Sequence, residues 1–206
     1  MRGDLPRTRF GLIRHAQTIW NREKKMQGQN DSALTCEGKR QAQKWGELLN
    51  HISWDRIIVS DSGRAFETAT RINSLLQIPL TSEKRLREQN WGRWTGKTFK
   101  EIKSGDPQLL AKQTRSGWKF CPPDGEDRVS VSNRSRTALC EAAAHWPAET
   151  VLIVTHEGVI KSLIYHLSGR KFLPEEPPLI KSMHLHWLLH DPKGLRIGEL
   201  NALPLG

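Results

Sequence analysis

The chain has 206 residues, 36% of them hydrophobic and 26% charged, which suits one α/β domain with a full core and argues against disorder or a second domain. No apolar run approaches the roughly 18 residues of a membrane span, and Met1 to Arg7 lacks the apolar centre of a signal peptide, so a cytoplasmic protein without membrane contact is expected. The net charge of +10 suits an anionic partner, but the basic residues are scattered as pairs without a nucleic-acid motif, so most of them read as solvated surface and nucleic acid is not the expected partner.

Phe10 to Ile13 is an apolar run that stops at Arg14 and His15. Residues 8–14 therefore read as a strand that delivers polar groups at its carboxyl end, where ligands bind in open α/β sheets. Arg22 to Leu34 is polar, holds Gln27-Gly28-Gln29-Asn30-Asp31, and reads as a loop crossing that strand end. Thr35 suits an N-cap, and Ala42, Trp45, Leu48, Leu49 and Ile52 predict an amphipathic helix over 36–50. Cys36, Cys121 and Cys140 stand far apart, with no Cys-x-x-Cys pair to make a thiolate metal site or redox dithiol.

Ile57 to Val59 reads as a second parallel strand, ending at Ser60-Asp61-Ser62-Gly63-Arg64. The apolar spacing from Ala65 to Leu76 predicts a helix that begins near Ser62 and stops before Pro79. Arg64 then lies in a first helical turn, where backbone amides favour an anion and a cation opposes the helix dipole. Leu80 to Glu83 predicts a short strand. Leu86 to Gly96 reads as a tight loop in which Trp91 and Trp94 act as packing wedges.

Residues 97–120 predict short helices with a basic face, followed by a turn over Cys121 to Glu126 and a helix from about Val129 to Trp146. Val151 to Val154 is a buried strand running into Thr155-His156-Glu157-Gly158, and a helix through Leu167 follows, with Gly169 as its stop. Met183 to Leu189 and Leu195 to Asn201 predict an antiparallel hairpin at a sheet edge. Strands alternating with helices predict a three-layer α/β/α fold with a mostly parallel central sheet and an antiparallel edge, as one domain over residues 1–206.

Three predicted strands thus end in Arg14-His15, in the Arg64 loop and in His156, and a parallel sheet can bring such ends to one crevice. Glu88 lies in a loop able to cover it. Arginine grips phosphate bidentately, and histidine serves as nucleophile or acid–base. Two of each with one carboxylate make a phosphoryl-transfer site with no metal and no cofactor, because guanidinium groups in the pocket oppose a metal.

These residues resemble the histidine phosphatase superfamily, in its phosphoglycerate mutase-like branch, over most of residues 8–170. Leu12 to Asn21 is similar to the family's Leu-x-Arg-His-Gly-x-Thr-x-x-Asn pattern, with Ala16 in place of the usual Gly. Gln27-Gly28 with Asp31, then Leu34-Thr35-x-x-Gly38-x-x-Gln41-Ala42, follow its next block. Ser60 to Ala69, Leu86-Arg87-Glu88 with Trp91-Gly92-x-Trp94-x-Gly96, and Val154-Thr155-His156 supply the other three, with Glu157 where Gly is common.

The resemblance implies that His15 attacks phosphorus and becomes phosphohistidine. It implies that Arg14, Arg64 and His156 hold the phosphoryl oxygens, with His156 cationic or at least a donor. Asn21, Gln27, Gly28 and the backbone at Glu157 and Gly158 complete the phosphate site, and Glu88 exchanges the proton with the leaving alkoxide and then with water. The segment 89–155 is shorter than in the family's cofactor-dependent mutases, which points to a phosphatase. A basic rim of Lys24, Lys25, Arg87 and Arg93 suits small anionic phosphorylated metabolites of the sugar phosphate, phosphoglycerate or α-ribazole phosphate type. A phosphoglycerate mutase, a phosphohistidine protein phosphatase or signalling regulator, and a nucleic-acid-binding protein with a vestigial site remain alternatives.

Overall fold

The computed structural model describes residues 7–205; the reading of the first six residues as part of a leaderless start lies outside them. In chain order the elements begin with β1 (Thr8–Arg14), α1 (Ile19–Arg22), α2 (Cys36–Leu49), β2 (Arg56–Val59), α3 (Gly63–Leu76) and β3 (Leu80–Ser82). Then follow α4 (Phe99–Gly105), α5 (Pro107–Arg115), α6 (Arg128–His145), β4 (Thr150–Thr155) and α7 (Glu157–Leu167). The chain closes with β5 (His184–Asp191), β6 (Gly194–Ile197) and β7 (Leu203–Pro204).

One sheet runs β3-β2-β4-β1-β5-β6, with β7 paired to β5. The first four strands in that order are mutually parallel, and β5 runs antiparallel to β1. Strand residues alternate between two cores because successive side chains point to opposite faces. Phe10, Leu12, Val151 and Ile153 pack on the side of α6 and α7 with Leu139 and Leu163. Ile13, Leu152 and Val154 pack on the other side with Trp45, Leu49 and Ile72 of α2 and α3. Burial on both faces explains why the strands read as continuous apolar runs rather than alternating ones.

The predicted three-layer arrangement and parallel sheet are present. Thr35 caps α2 by accepting from the Gly38 N–H at 2.9 Å, and Gly38, Ala42, Trp45, Gly46 and Leu49 form its buried stripe. Three details differ from the sequence reading. Residues 19–22, partly assigned to a loop, form one helical turn, because Thr18 and Asn21 cap each other reciprocally. The C-terminal hairpin forms the expected antiparallel edge, with β5 on β1 and β6 outermost, but its ends differ.

Its second strand ends early. Trp187 bonds both Gly198 and Glu199 at 2.9 and 2.8 Å, a bulge that turns the chain away at Ile197 instead of Asn201. The chain then returns as β7, which is too short to leave a period. Among the described residues no helix is long and apolar enough to cross a membrane.

Gly11 sits in the middle of β1, where a glycine weakens a strand unless something approaches closely. Here the Trp54 ring lies against it, and a Cβ would come within 2.8 Å of Trp54 Cζ3. Gly11→Ala should therefore lower the unfolding free energy by about 1–3 kcal/mol through overpacking. Urea unfolding followed by tryptophan fluorescence would measure it, and an unchanged midpoint would show that Trp54 moves aside without cost.

Candidate active site

Sheet register creates the site. Arg14 pairs with Thr155 across β1 and β4, and Val59 pairs with Val154 across β2 and β4. The residues just past these pairs are His15, His156 and Ser60, so they become neighbours at one sheet end. The His15 N–H bonds the Thr155 carbonyl at 2.9 Å, and the two imidazoles lie 5.2 Å apart between centroids. Arg64 reaches the same point from the first turn of α3, with its side chain 1% exposed.

His15 is buried, and its Nδ1 lies 2.8 Å from the carbonyl of Ala16. A carbonyl only accepts, so Nδ1 carries the proton and Nε2 carries the lone pair. That lone pair accepts from Arg64 Nε at 3.3 Å. Burial holds the His15 pKa well below the usual imidazole value, with Arg14 and Arg64 adding to the effect and the Ala16 carbonyl opposing it. Ala16 is fully buried and keeps clear of the left-handed backbone region, so this departure from the family pattern causes no strain. Its N–H donates to Thr68 Oγ1 at 3.1 Å.

His156 is held by the segment that follows β2. Its Nε2 lies 2.9 Å from Ser60 Oγ and 3.2 Å from Ser62 Oγ, while Nδ1 accepts from Arg64 Nη2 at 3.2 Å. Burial, then Arg64 and His15, keep its pKa well below the usual value. The expectation of a cationic His156 is therefore corrected: an imidazole that accepts from a buried guanidinium is neutral.

Glu88 reaches across from the loop after β3. Its Oε1 accepts from the Gln89 N–H at 2.8 Å and its Oε2 from the Gly158 N–H at 3.2 Å. The loop itself is bolted to α6: Arg134 donates to the carbonyls of Arg85 at 2.6 Å and Glu88 at 3.1 Å, and pairs with Glu126 at 2.7 Å.

A cavity of about 420 Å³ is lined by Arg14, His15, Asn21, Gln27, Gly28, Arg64, Glu88, Glu157 and Gly158, all singled out from sequence, but not by His156, which lies behind Arg64. Of the expected phosphate contacts, the Gly158 N–H is engaged elsewhere, and Gly28 and Glu157 also hold the arginines through their oxygens. The Gly28 carbonyl accepts from Arg64 Nη2 at 2.7 Å, and a carbonyl repels phosphate oxygen. The Glu157 carboxylate pairs with Arg14 at 2.6 Å and Lys161 at 2.8 Å. The Gly158 N–H is used by Glu88. Asn21 Oδ1 accepts from Thr18, which leaves its amide nitrogen as a donor. Gln27 is buried, with Oε1 unpartnered.

The rim differs from expectation. Lys25 lines the cavity, but Arg87 pairs with Asp61 at 2.7 Å and the exposed Arg93 with Asp124 at 3.0 Å. Trp94 is a buried wedge, as read, whereas Trp91 also faces the cavity. Sequence reasoning missed Arg128 and Lys161 in the lining, the Arg134–Glu126 bolt, and the role of Asp31. Asp31 accepts from Arg64 Nη1 at 2.8 Å and from the Gly63 N–H. Its place in the Gln27-to-Asp31 block was the available signal.

A parallel sheet whose strand ends gather two histidines, two arginines and a carboxylate defines an α/β enzyme of phosphoryl transfer. The chain belongs to the histidine phosphatase superfamily, branch 1, whose profile matches residues 10–202, and it is a histidine-type phosphatase. It is similar to the glucosyl-3-phosphoglycerate phosphatase of Mycobacterium tuberculosis, 34% identical over 164 residues covering 75% of this chain and 73% of that one. It is also similar to the phosphatase PhoE of Bacillus subtilis, 31% identical over 158 residues covering 77% and 76%. Among solved structures, YhfR of Bacillus stearothermophilus superposes with a TM-score of 0.87 at 32% identity, covering 96% of this chain and 98% of that one.

Three buried histidines set an acid stability profile. His15 and His156 have strongly lowered pKa values, and burial takes His186 on β5 down to about 4. In the unfolded chain each titrates near 6.5. As pH falls below about 6.5, the unfolded state binds protons that the native state refuses, so stability drops by about 1.4 kcal/mol per histidine per pH unit. The lowered carboxylates, such as Glu149 and Asp61, act only below about pH 4.5. The urea midpoint should fall between pH 6.5 and 5, and His156→Asn should shallow that slope by about one third. A wild-type midpoint that is flat across this window would contradict the assignment.

Proposed function

We propose that the chain acts as one domain, a phosphomonoesterase that works through a phosphohistidine on His15 and uses small phosphorylated metabolites. The carrying observation is the His15 tautomer: Nδ1 on the Ala16 carbonyl and Nε2 in the cavity beside Arg64. A neutral imidazole with a directed lone pair is a competent nucleophile at neutral pH. The names of the relatives, among them a glucosyl-3-phosphoglycerate phosphatase, support the substrate class.

In the first step His15 Nε2 bonds to phosphorus as the bond from phosphorus to the ester oxygen breaks, and Glu88 gives its proton to the departing alkoxide. In the second step water attacks the phosphorus, Glu88 takes the water proton, and the nitrogen–phosphorus bond breaks to release phosphate. Arg14 donates to the equatorial oxygens and Arg64 places a fixed, buried positive charge beside them, the charge-stabilising role in such transfers. Asn21 and Gln27 add neutral donors. His156 keeps Arg64 oriented by accepting from its Nη2. Guanidinium groups supply the positive charge, so no metal is required.

His15→Ala should cut kcat by at least about 10³-fold and abolish acid-labile phosphate incorporation; activity within tenfold of wild type would remove His15 from the mechanism. Glu88→Gln should slow an alkyl phosphate far more than p-nitrophenyl phosphate, whose leaving group needs no proton, by about 10²–10⁴-fold in the alkyl case. Equal loss on both esters would deny Glu88 the acid role. A Cβ at position 158 would overlap Glu88 Oε1, so Gly158→Ala should displace that carboxyl and cost about 100-fold on the alkyl ester, with an unchanged circular dichroism spectrum.

A further inference from the structure

The cavity holds a second cationic feature outside the phosphoryl machinery. Arg128 opens α6, where a cation opposes the helix dipole. Its guanidinium is half-buried and sandwiched between Phe120 at 4.3 Å and Phe172 at 4.1 Å. Phe172 holds a φ of 65° to complete this sandwich, a left-handed conformation that is strained for an aromatic residue. Burial lowers the Arg128 pKa to about 10.

Ion pairing sets this residue apart. Five cationic side chains and two carboxylates line the cavity. Arg14 and Lys161 share Glu157, Arg64 has Asp31, and Lys25 has Glu23. Among the described residues, no carboxylate pairs with Arg128. Glu157 serves two of these cations at once, and Arg128 adds a further positive charge with no carboxylate of its own.

Hydrogen bonding shows which edge is used. Arg128 Nη1 donates to the carbonyls of Gly117 at 3.0 Å and Phe172 at 3.2 Å. The edge formed by Nε and Nη2 bonds no other group of the described chain. A planar guanidinium edge with two parallel N–H groups matches a carboxylate.

We propose that Arg128 is a specificity residue that binds a carboxylate on the alcohol portion of the substrate, so the preferred substrate is a phosphorylated hydroxy acid rather than a phosphorylated neutral polyol. This rests on the phosphomonoesterase reading above. Phe120 and Phe172 fix the guanidinium plane and exclude water from it, which strengthens a charge-assisted pair. Trp91 and Phe172 in the same lining give apolar contact to the carbon skeleton.

The test compares kcat/KM for 3-phosphoglycerate and for glycerol 3-phosphate, which differ in a carboxylate against a hydroxymethyl group. Wild type should prefer the acid by about 10-fold or more, as expected for hydrogen bonds to a charged group. In Arg128→Gln the ratio should fall to near one, chiefly through KM for the acid. A folding defect lowers both rates and leaves the ratio, so it cannot imitate this result.

Lys25→Gln removes the same charge from the lining and should change the ratio by less than about threefold. A wild-type ratio near one, or a preference that survives in Arg128→Gln, would overturn the proposal. Trapping of phosphate on His15 with p-nitrophenyl phosphate is read in parallel. If His15 is labelled and the ratio is one, only the carboxylate subsite fails; if His15 is never labelled, the reading beneath it fails.

Discussion

Burial of the Arg64 guanidinium is the constraint on which the site depends. An ionised group taken out of water costs several kcal/mol unless paired and fully hydrogen-bonded. Every nitrogen of Arg64 is used: Nε on His15, Nη1 on the Asn30 carbonyl and Asp31, Nη2 on the Gly28 carbonyl and His156. Two of these acceptors are carbonyls of the loop after α1, so that loop has one conformation that satisfies the charge. Gly28 at a φ of 54° is the backbone expression of that demand. The charge therefore organises the loop, and the loop in turn fixes the donors before substrate arrives, which is how a preorganised site avoids reorganisation during reaction.

The opposite wall is built on a different principle. Glu88 belongs to a loop without regular strand pairing, so it is positioned through backbone acceptors. Thr155 Oγ1 donates to the Leu86 carbonyl at 2.7 Å, and Arg134 holds the carbonyls on either side of that point. The Glu126 carboxylate completes the Arg134 fork and also receives the Asn90 N–H at 3.3 Å. The turn at Cys121 to Glu126 and helix α6 thus act on the site without lining its reacting end. Gly158 lets the carboxyl settle directly on the start of α7, and only the smallest residue leaves that space.

Much of this was legible in the sequence for identifiable reasons. Strands buried on both faces give apolar runs, and the polar residues that end those runs mark the sheet end at which Arg14, His15, Arg64 and His156 meet. Caps such as Thr35 announce their helices locally. What stayed hidden depends on distance in the chain. The Glu157 carboxylate meets Arg14 through a contact 143 residues apart, and the Gly28 carbonyl serves Arg64 across 36 residues. Arg128 and Lys161 look like ordinary surface cations until folding places them in the cavity. The bulge at Trp187 and the two-residue β7 were invisible because neither is long enough to establish a period.

Glu157 shows how an apparently adverse residue fits the electrostatics. A carboxylate beside a phosphate site repels substrate if it stands alone. Here it lies between two cations, Arg14 and Lys161, and Ser182 donates to it at 3.4 Å. Its pKa stays below the usual carboxylate value: burial alone would raise it, and the two cations more than offset that. The group therefore remains an anion and anchors one end of the Arg14 fork by Nη1. Arg14 Nε stays buried with no partner, a state that costs about 1–3 kcal/mol for a donor. An arginine held at one nitrogen and unsatisfied at another has its orientation set by the protein and its remaining donor capacity directed to whatever enters the cavity. In the proposed mechanism that visitor is a phosphoryl oxygen, so the carboxylate that appears to oppose substrate sets the geometry of the cation that receives it.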